Sequence, residues 1–135
     1  MILTIDIGNT NIVTGCFDQD QLLFLERFST EQEATSLEYA TIFKETLDLH
    51  EIPPSRIQGG IISSVVPSVT GTVKEAVEKY TGARILVVGP GIKTGLKLAV
   101  DDPAQQGSDL VVGAVAGVHL YPVPQILIDT GTATT

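Results

Sequence analysis

The opening of the chain restricts its fold most. Three runs of β-forming residues, "ILTIDI" (2–7), "NIVTGCF" (11–17) and "LLFLERF" (22–28), are joined by connections of only two to four residues. Connections that short leave no room for a crossover, so neighbouring runs must pair antiparallel as a meander. The rest alternates. Thr35 with Glu38 three residues on is a capping-box pattern, and Leu37, Ala40, Phe43 and Leu47 share one helical face before Pro53 and Pro54 close that element. "GGIISSVV" (59–66) predicts a buried strand stopped by Pro67, and Val69, Val73, Ala76, Val77 and Tyr80 predict a helix ending at Gly82. "RILVVG" (84–89) predicts the next buried strand, followed by a long connection (90–106) punctuated by glycine and proline. Ser108 is expected to cap a last helix in which Val111, Ala114, Val115 and Val118 face one way, with Gly113 and Gly117 allowing close packing beside it. Pro122 and Pro124 end that helix, and "QILID" (125–129) reads as one more strand.

The order β-β-β-α-β-α-β-α-β predicts an α/β fold: a mixed sheet, antiparallel in its meander and then fed by alternating helices and strands, with helices on both faces. That is the ribonuclease H-like layout. Residues 1–124 are expected to form this domain, and 125–135 to supply the first strand and loop of a truncated second one.

Charge and composition narrow the function. Net charge is −8, and the eight Lys and Arg residues are scattered from Arg27 to Lys97, which argues against a nucleic-acid partner. No apolar run approaches the ~20 residues of a membrane span. "MILTIDIG" lacks the basic start of a signal peptide, and a single cysteine, Cys16, forms no internal disulfide, so a cytoplasmic setting is expected. His50 and His119, near predicted helix C-termini, read as structural or solvated.

One pattern recurs. "TIDIGNTN" (4–11) and "LIDTGTATT" (127–135) both end an apolar run in Ile-Asp-x-Gly and continue in small hydroxyl or amide residues, the mark of an internal duplication. Glycine at a strand end lets backbone N–H groups approach an anion, and small hydroxyls add donors. An aspartate beside such a loop would repel a bare phosphate but suits a phosphate bridged by Mg²⁺, which takes few carboxylates plus phosphate oxygens and water. Two such loops facing each other would clamp a polyphosphate. The plainer alternative is a hairpin turn with Asp6 capping its backbone, since Gly-Asn is a common hairpin signal.

"DIGNTN" (6–11), "SSVVP" (63–67), "GPGIKTGL" (89–96), "DDPAQQGSD" (101–109) and "DTGTATT" (129–135) come in the order and spacing of type III pantothenate kinases. The chain resembles the first half of a member of that family, within the acetate and sugar kinase, heat-shock chaperone and actin superfamily that includes the Bvg accessory factor group. The resemblance implies ATP-dependent phosphorylation of pantothenate, the first step towards coenzyme A. It implies that Asp6, Gly8, Asn9, Thr10 and Asn11 hold ATP phosphates, that Gly131, Thr132 and Thr134 form a second phosphate clamp, and that Asp6 and Asp129 lie near Mg²⁺. Asp109 matches the general base that takes the proton of the pantothenate hydroxyl. The acceptor site corresponds to Asn9, Val100, Gly107, Ser108, Asp109 and Leu110. A homodimer and a monovalent cation, K⁺ or ammonium, are implied as well.

The chain departs from the family at two places, both where pantothenate is received. Leu110 replaces the arginine after the catalytic aspartate; Val100 replaces a tyrosine, and Asp102 the asparagine before Pro103. Without the resemblance, Asp109 reads as an acid at the positive end of a helix. Three classes therefore stand: a pantothenate kinase of which these residues are a partial, inactive copy; a nucleotide-binding regulatory paralogue or pseudo-kinase without pantothenate turnover; and a bare structural domain.

Overall fold

The computed structural model describes residues 1–89, 92–96 and 107–128. The chain divides into two compact units, Met1–Val88 and Gly89–Thr135, each described by itself. The first unit holds strands β1 (Ile2–Ile7), β2 (Asn11–Asp18) and β3 (Gln21–Ser29), helix α1 (Ser36–Leu49), strand β4 (Gly59–Ser64), helix α2 (Pro67–Thr81) and strand β5 (Ile85–Val87). They form one sheet in the order β3-β2-β1-β4-β5. β1 and β2, and β2 and β3, pair antiparallel, whereas β4 lies parallel to both β1 and β5. This is the mixed, ribonuclease H-like sheet that the element order predicts, although α1 and α2 both pack on one of its faces rather than on both.

Strand alternation divides the polar from the apolar side. Leu3, Ile5 and Ile7 of β1 are buried, and their register partners Cys16 and Ile12 on β2 and Ile62 on β4 extend that apolar face. Onto it pack Tyr39, Phe43 and Leu47 of α1 and Val69, Val73, Ala76 and Val77 of α2, all in one cluster. Asp6 falls on the other face and is exposed.

The capping box is present as expected. Thr35 Oγ1 accepts the Glu38 N–H at 3.3 Å, and Glu38 Oε2 accepts the Thr35 N–H at 2.7 Å. Those bonds hold the Glu38 carboxyl below its ordinary pKa. A depressed carboxyl contributes stability above its unfolded pKa and loses it as pH falls through the folded value, so this cap weakens in acid.

The core face of α1 differs from the expected one. Leu37 is 66% exposed and Tyr39 is fully buried. Successive helical residues turn by about 100°, so a face centred on Tyr39, Phe43 and Leu47 puts Leu37 on the far side. β4 ends at Ser64 rather than residue 66, because Pro67 opens α2 and Val66 becomes its N-cap. β5 is limited to Ile85–Val87 rather than 84–89, since only Gly60, Ile61 and Ile62 pair with it. α2 ends as read, with Gly82 left-handed at φ 72°.

α1 closes differently. The Ile52 N–H reaches the Leu47 carbonyl at 2.9 Å and the Glu51 N–H reaches that of Asp48 at 3.1 Å, a Schellman arrangement with Glu51 left-handed at φ 56°. A residue with a Cβ is strained there by ~1–2 kcal/mol. Glu51→Gly should therefore raise stability by ~0.5–1 kcal/mol, read as a higher urea midpoint at unchanged slope. A lower midpoint would show that the Glu51 side chain stabilises more than the strain costs.

In the second unit, helix α3 spans Ser108–Leu120. Ser108 is its first residue, and Gly107 is the N-cap, without a side-chain bond, so the expected Ser108 cap is not formed. Val111, Ala114 and Val115 are half-buried but Val118 is 46% exposed; the closest packing is at Gly117. A Cβ there would stand 2.9 Å from Leu127 Cδ1 and 3.1 Å from Gln125 Nε2. Residues 125–128 do not form the expected strand. Ile126 and Ile128 are 88% and 72% exposed. A strand exists only by pairing, and these residues pair with none of the described strands. Asp129 lies outside the described residues.

Candidate functional site

β1 ends at Ile7, and residues 8–11 turn the chain into β2. The Gly8 N–H donates to the Asn11 carbonyl at 2.9 Å, closing the turn. A Cβ at Gly8 would sit 3.1 Å from that same oxygen, so a larger residue would crowd the turn although the glycine's φ is not left-handed. The positive-φ residues other than glycine are, among those described, Gln19 and Glu51. Asn9 and Thr10 are therefore not in the primed turn that a plain two-residue hairpin favours. The loop keeps an unprimed shape that something else must hold.

That holder is a residue the sequence reading passed over. Thr30, just beyond β3, donates its hydroxyl to the Gly8 carbonyl at 2.7 Å and its backbone N–H to the Thr10 carbonyl at 2.9 Å. The next residue is fixed from the core. The Tyr39 hydroxyl donates to the Glu31 carbonyl at 2.8 Å and accepts the Glu31 N–H at 3.0 Å. Burial pushes the Tyr39 phenol above its ordinary pKa, which keeps its proton in place for that bond. The register could have pointed to Thr30: Asn11 pairs with Ser29, so the following residue faces the loop.

On its other flank the loop meets the end of β4. The Val65 N–H donates to the Ile7 carbonyl at 3.0 Å, and Ser64 Oγ accepts the Val66 N–H at 3.0 Å. Asp6 is level with Ser63 on β4 and Val13 on β2. The arrangement thus stands at the carboxyl ends of the parallel strands β1 and β4, where open α/β sheets receive ligands. Two carbonyls of the loop are occupied by Thr30, whereas neither the Asn9 nor the Thr10 N–H donates to another described residue. Donors without acceptors, on exposed residues, make a surface suited to anionic oxygens.

The exposed Asp6 carboxylate, two residues before the loop, is a hard oxygen donor of the kind that suits Mg²⁺ shared with phosphate. No group of three or more His, Cys, Asp or Glu suited to a metal occurs among the described residues.

In the second unit, Gly107, Ser108, Asp109 and Leu110 come together at the start of α3. Asp109 is exposed, and its Oδ1 accepts the Leu110 N–H at 2.8 Å. A Cβ at Gly107 would meet that oxygen, the movable end of the exposed Asp109 side chain. Leu110 is half-buried. Val100, Asp129, Gly131, Thr132 and Thr134, together with Asp102 and Pro103, lie outside the described residues.

The histidines are structural. His50 caps α1, stacks on Phe24 at 4.4 Å between ring centres and meets Glu26 Oε1 at 2.9 Å. His119 Nδ1 lies 2.9 Å from the Val115 carbonyl of its own helix. A depression of about 550 Å³ lined by Asp18, Gln19, Arg56 and Gln58 opens at the amino end of β1, away from the 8–11 loop, and holds none of the candidate residues.

Comparison with known proteins adds a family. The family model for type III pantothenate kinase matches residues 2–135. A type III pantothenate kinase of Exiguobacterium sp. (strain ATCC BAA-1283 / AT1b) is 44% identical over all 135 residues, which span 53% of its length. Among solved structures, a Bacteroides thetaiotaomicron protein with an actin-like ATPase fold is similar at a TM-score of 0.51 and 12% identity, over 82% of this chain and 36% of that one. A ROK hexokinase from Thermus thermophilus is similar at 0.50 and 16% identity, over 64% and 34%. These two similarities concern the fold.

Proposed function

The chain belongs to the type III pantothenate kinase family, and from that premise we propose that it supplies the amino-terminal half of an enzyme that transfers the γ-phosphoryl group of ATP to the hydroxyl of pantothenate. The observation that carries this reading is the 8–11 loop: its carbonyls are taken up by Thr30, its Asn9 and Thr10 N–H groups have no described acceptor, and Asp6 stands next to it. Phosphoryl transfer is mostly positioning and charge stabilisation, so a donor loop beside a carboxylate is the equipment it calls for.

In this proposal the loop N–H groups bind phosphate oxygens, and Asp6 holds Mg²⁺, which when bound supplies charge neutralisation. Asp109 accepts the proton of the attacking hydroxyl through its exposed carboxylate. Gly131, Thr132, Thr134 and Asp129 form the second clamp by family resemblance, as Val100 and Leu110 belong to the acceptor site. Residues from 125 onward are proposed to open the second domain, a homodimer and a monovalent cation follow from the same resemblance, and a cytoplasmic setting is proposed from the sequence features given above. No helix among the described residues is long and apolar enough to cross a membrane. The 135 residues by themselves are proposed to be inactive, because closure over the phosphates, which excludes water, needs a second domain.

Leu110 favours a second reading, a nucleotide-binding pseudo-kinase. An apolar, half-buried side chain cannot pair with a carboxylate or a transferring phosphate as arginine does. Assaying the full-length protein with ATP, Mg²⁺ and pantothenate separates the two. Formation of 4′-phosphopantothenate is the expected result. Mg·ATP binding by calorimetry without product would establish the pseudo-kinase, and absence of both would overturn the phosphate-loop reading.

A further inference from the structure

We infer that Thr30 is a positioning residue for nucleotide phosphate, and that Tyr39 ties the loop it holds to the hydrophobic core. The inference rests on the proposed role of the 8–11 loop. A loop of four residues with one internal hydrogen bond has several shapes of similar energy, and most of them turn carbonyls as readily as N–H groups towards a ligand. Thr30 removes that freedom. Its hydroxyl takes the Gly8 carbonyl at 2.7 Å and its N–H takes the Thr10 carbonyl at 2.9 Å, so both oxygens are drawn towards the β3 side. The N–H groups of Asn9 and Thr10, between those two anchors, are left for an anion.

Thr30 would be a poor anchor if it moved. It does not stand alone, because the Glu31 peptide groups beside it are bonded on both sides to one phenolic oxygen, at 2.8 and 3.0 Å. That phenol belongs to Tyr39, fully buried in α1 and a member of the core cluster. A contiguous path therefore runs from the core through Tyr39, Glu31 and Thr30 to Gly8 and Thr10. Holding the donors in advance spares the ligand the cost of ordering them, which is how preorganisation raises affinity.

The test uses the full-length protein and four variants. Thr30→Val keeps the shape and the backbone N–H but loses the hydroxyl; Thr30→Ser keeps the hydroxyl. Tyr39→Phe keeps the ring and loses the anchor, and Asp6→Asn reports on the metal side without touching the clamp. Thr30→Val should raise the KM for Mg·ATP, or the Kd of a non-hydrolysable analogue, by ~3- to 10-fold at nearly unchanged kcat. Amide exchange at Gly8 should quicken while the core amides of β1 and β4 keep their protection. Thr30→Ser should restore most of both, and Tyr39→Phe should act in the same direction more weakly. Hydrogen exchange reads the clamp without nucleotide, so a protein that binds no ATP would sink the functional reading and still report on the loop. Wild-type KM and Gly8 exchange in Thr30→Val, or a uniform loss of protection over the whole sheet, would overturn the positioning role.

Discussion

Asp109→Asn in the full-length protein should lower pantothenate phosphorylation by ~10²- to 10⁴-fold, the usual worth of a general base, and leave Mg·ATP affinity unchanged. The substitution is selective for a physical reason. Oδ1 of Asp109 accepts the Leu110 N–H at the start of α3, and an asparagine oxygen can accept it equally well. The helix start therefore survives, and what is lost is the ability to take up a proton. Unchanged turnover would reassign Asp109 to the helix start alone. Leu110→Arg is the complementary measurement. Higher activity with pantothenate would mark a substrate contact absent from this chain, and no response would point to a different acceptor.

Phe43→Ala should cost ~3–5 kcal/mol, a large share of the ~5–15 kcal/mol that holds a domain together. Phe43 is 1% exposed and lies at the middle of the α1 face, between Tyr39 and Leu47. Its ring meets that of Phe28 edge-on at 5.6 Å, a contact that adds ~0.5–1.5 kcal/mol beyond the area buried. Truncation opens a cavity between helix and sheet that neither the β3 backbone nor the helix can collapse into freely. Urea unfolding should show a much lower midpoint, whereas Phe43→Leu should keep most of the stability. A loss below 1 kcal/mol for the alanine variant would mean that α1 does not seat on the sheet through this face.

What could be read from the sequence was what neighbouring residues decide. The meander, the Thr35–Glu38 box and the left-handed Gly82 each depend on a few consecutive side chains, and each is present. α1 also shows where such reading ends. The sequence reading puts Leu37 on the core face, although Tyr39, four and eight residues before Phe43 and Leu47, fits the helical spacing better. The choice fell to Tyr39, whose hydroxyl has a partner on Glu31 that no local pattern announces. Strand extents failed for a related reason. Residues 84–89 and 125–129 have apolar sequences alike, but β5 reaches only as far as β4 accompanies it, and 125–128 are not part of a strand. In the site, Asp6 and the 8–11 loop were legible as a pattern of acid, glycine and small polar residues. Thr30 was not, because an ordinary Ser-Thr pair gains its role only from the strand register that brings it opposite Thr10.

The position of β1 at the centre of the sheet also sets an order of assembly. Its antiparallel edge is satisfied by β2, the next strand in the chain, whereas its parallel edge waits for β4, with all of β3 and α1 in between. Hairpins close in microseconds, while a parallel partner must first overcome the entropy of a long intervening loop. On a ribosome, the 8–11 turn and its Thr30 clamp can form as soon as the third strand emerges. The Val65 bond to Ile7 cannot form until β4 has been added. A nascent chain that has reached α1 therefore carries a half-anchored 8–11 loop on an open parallel edge, the stage at which a wrong strand or another chain could pair with it.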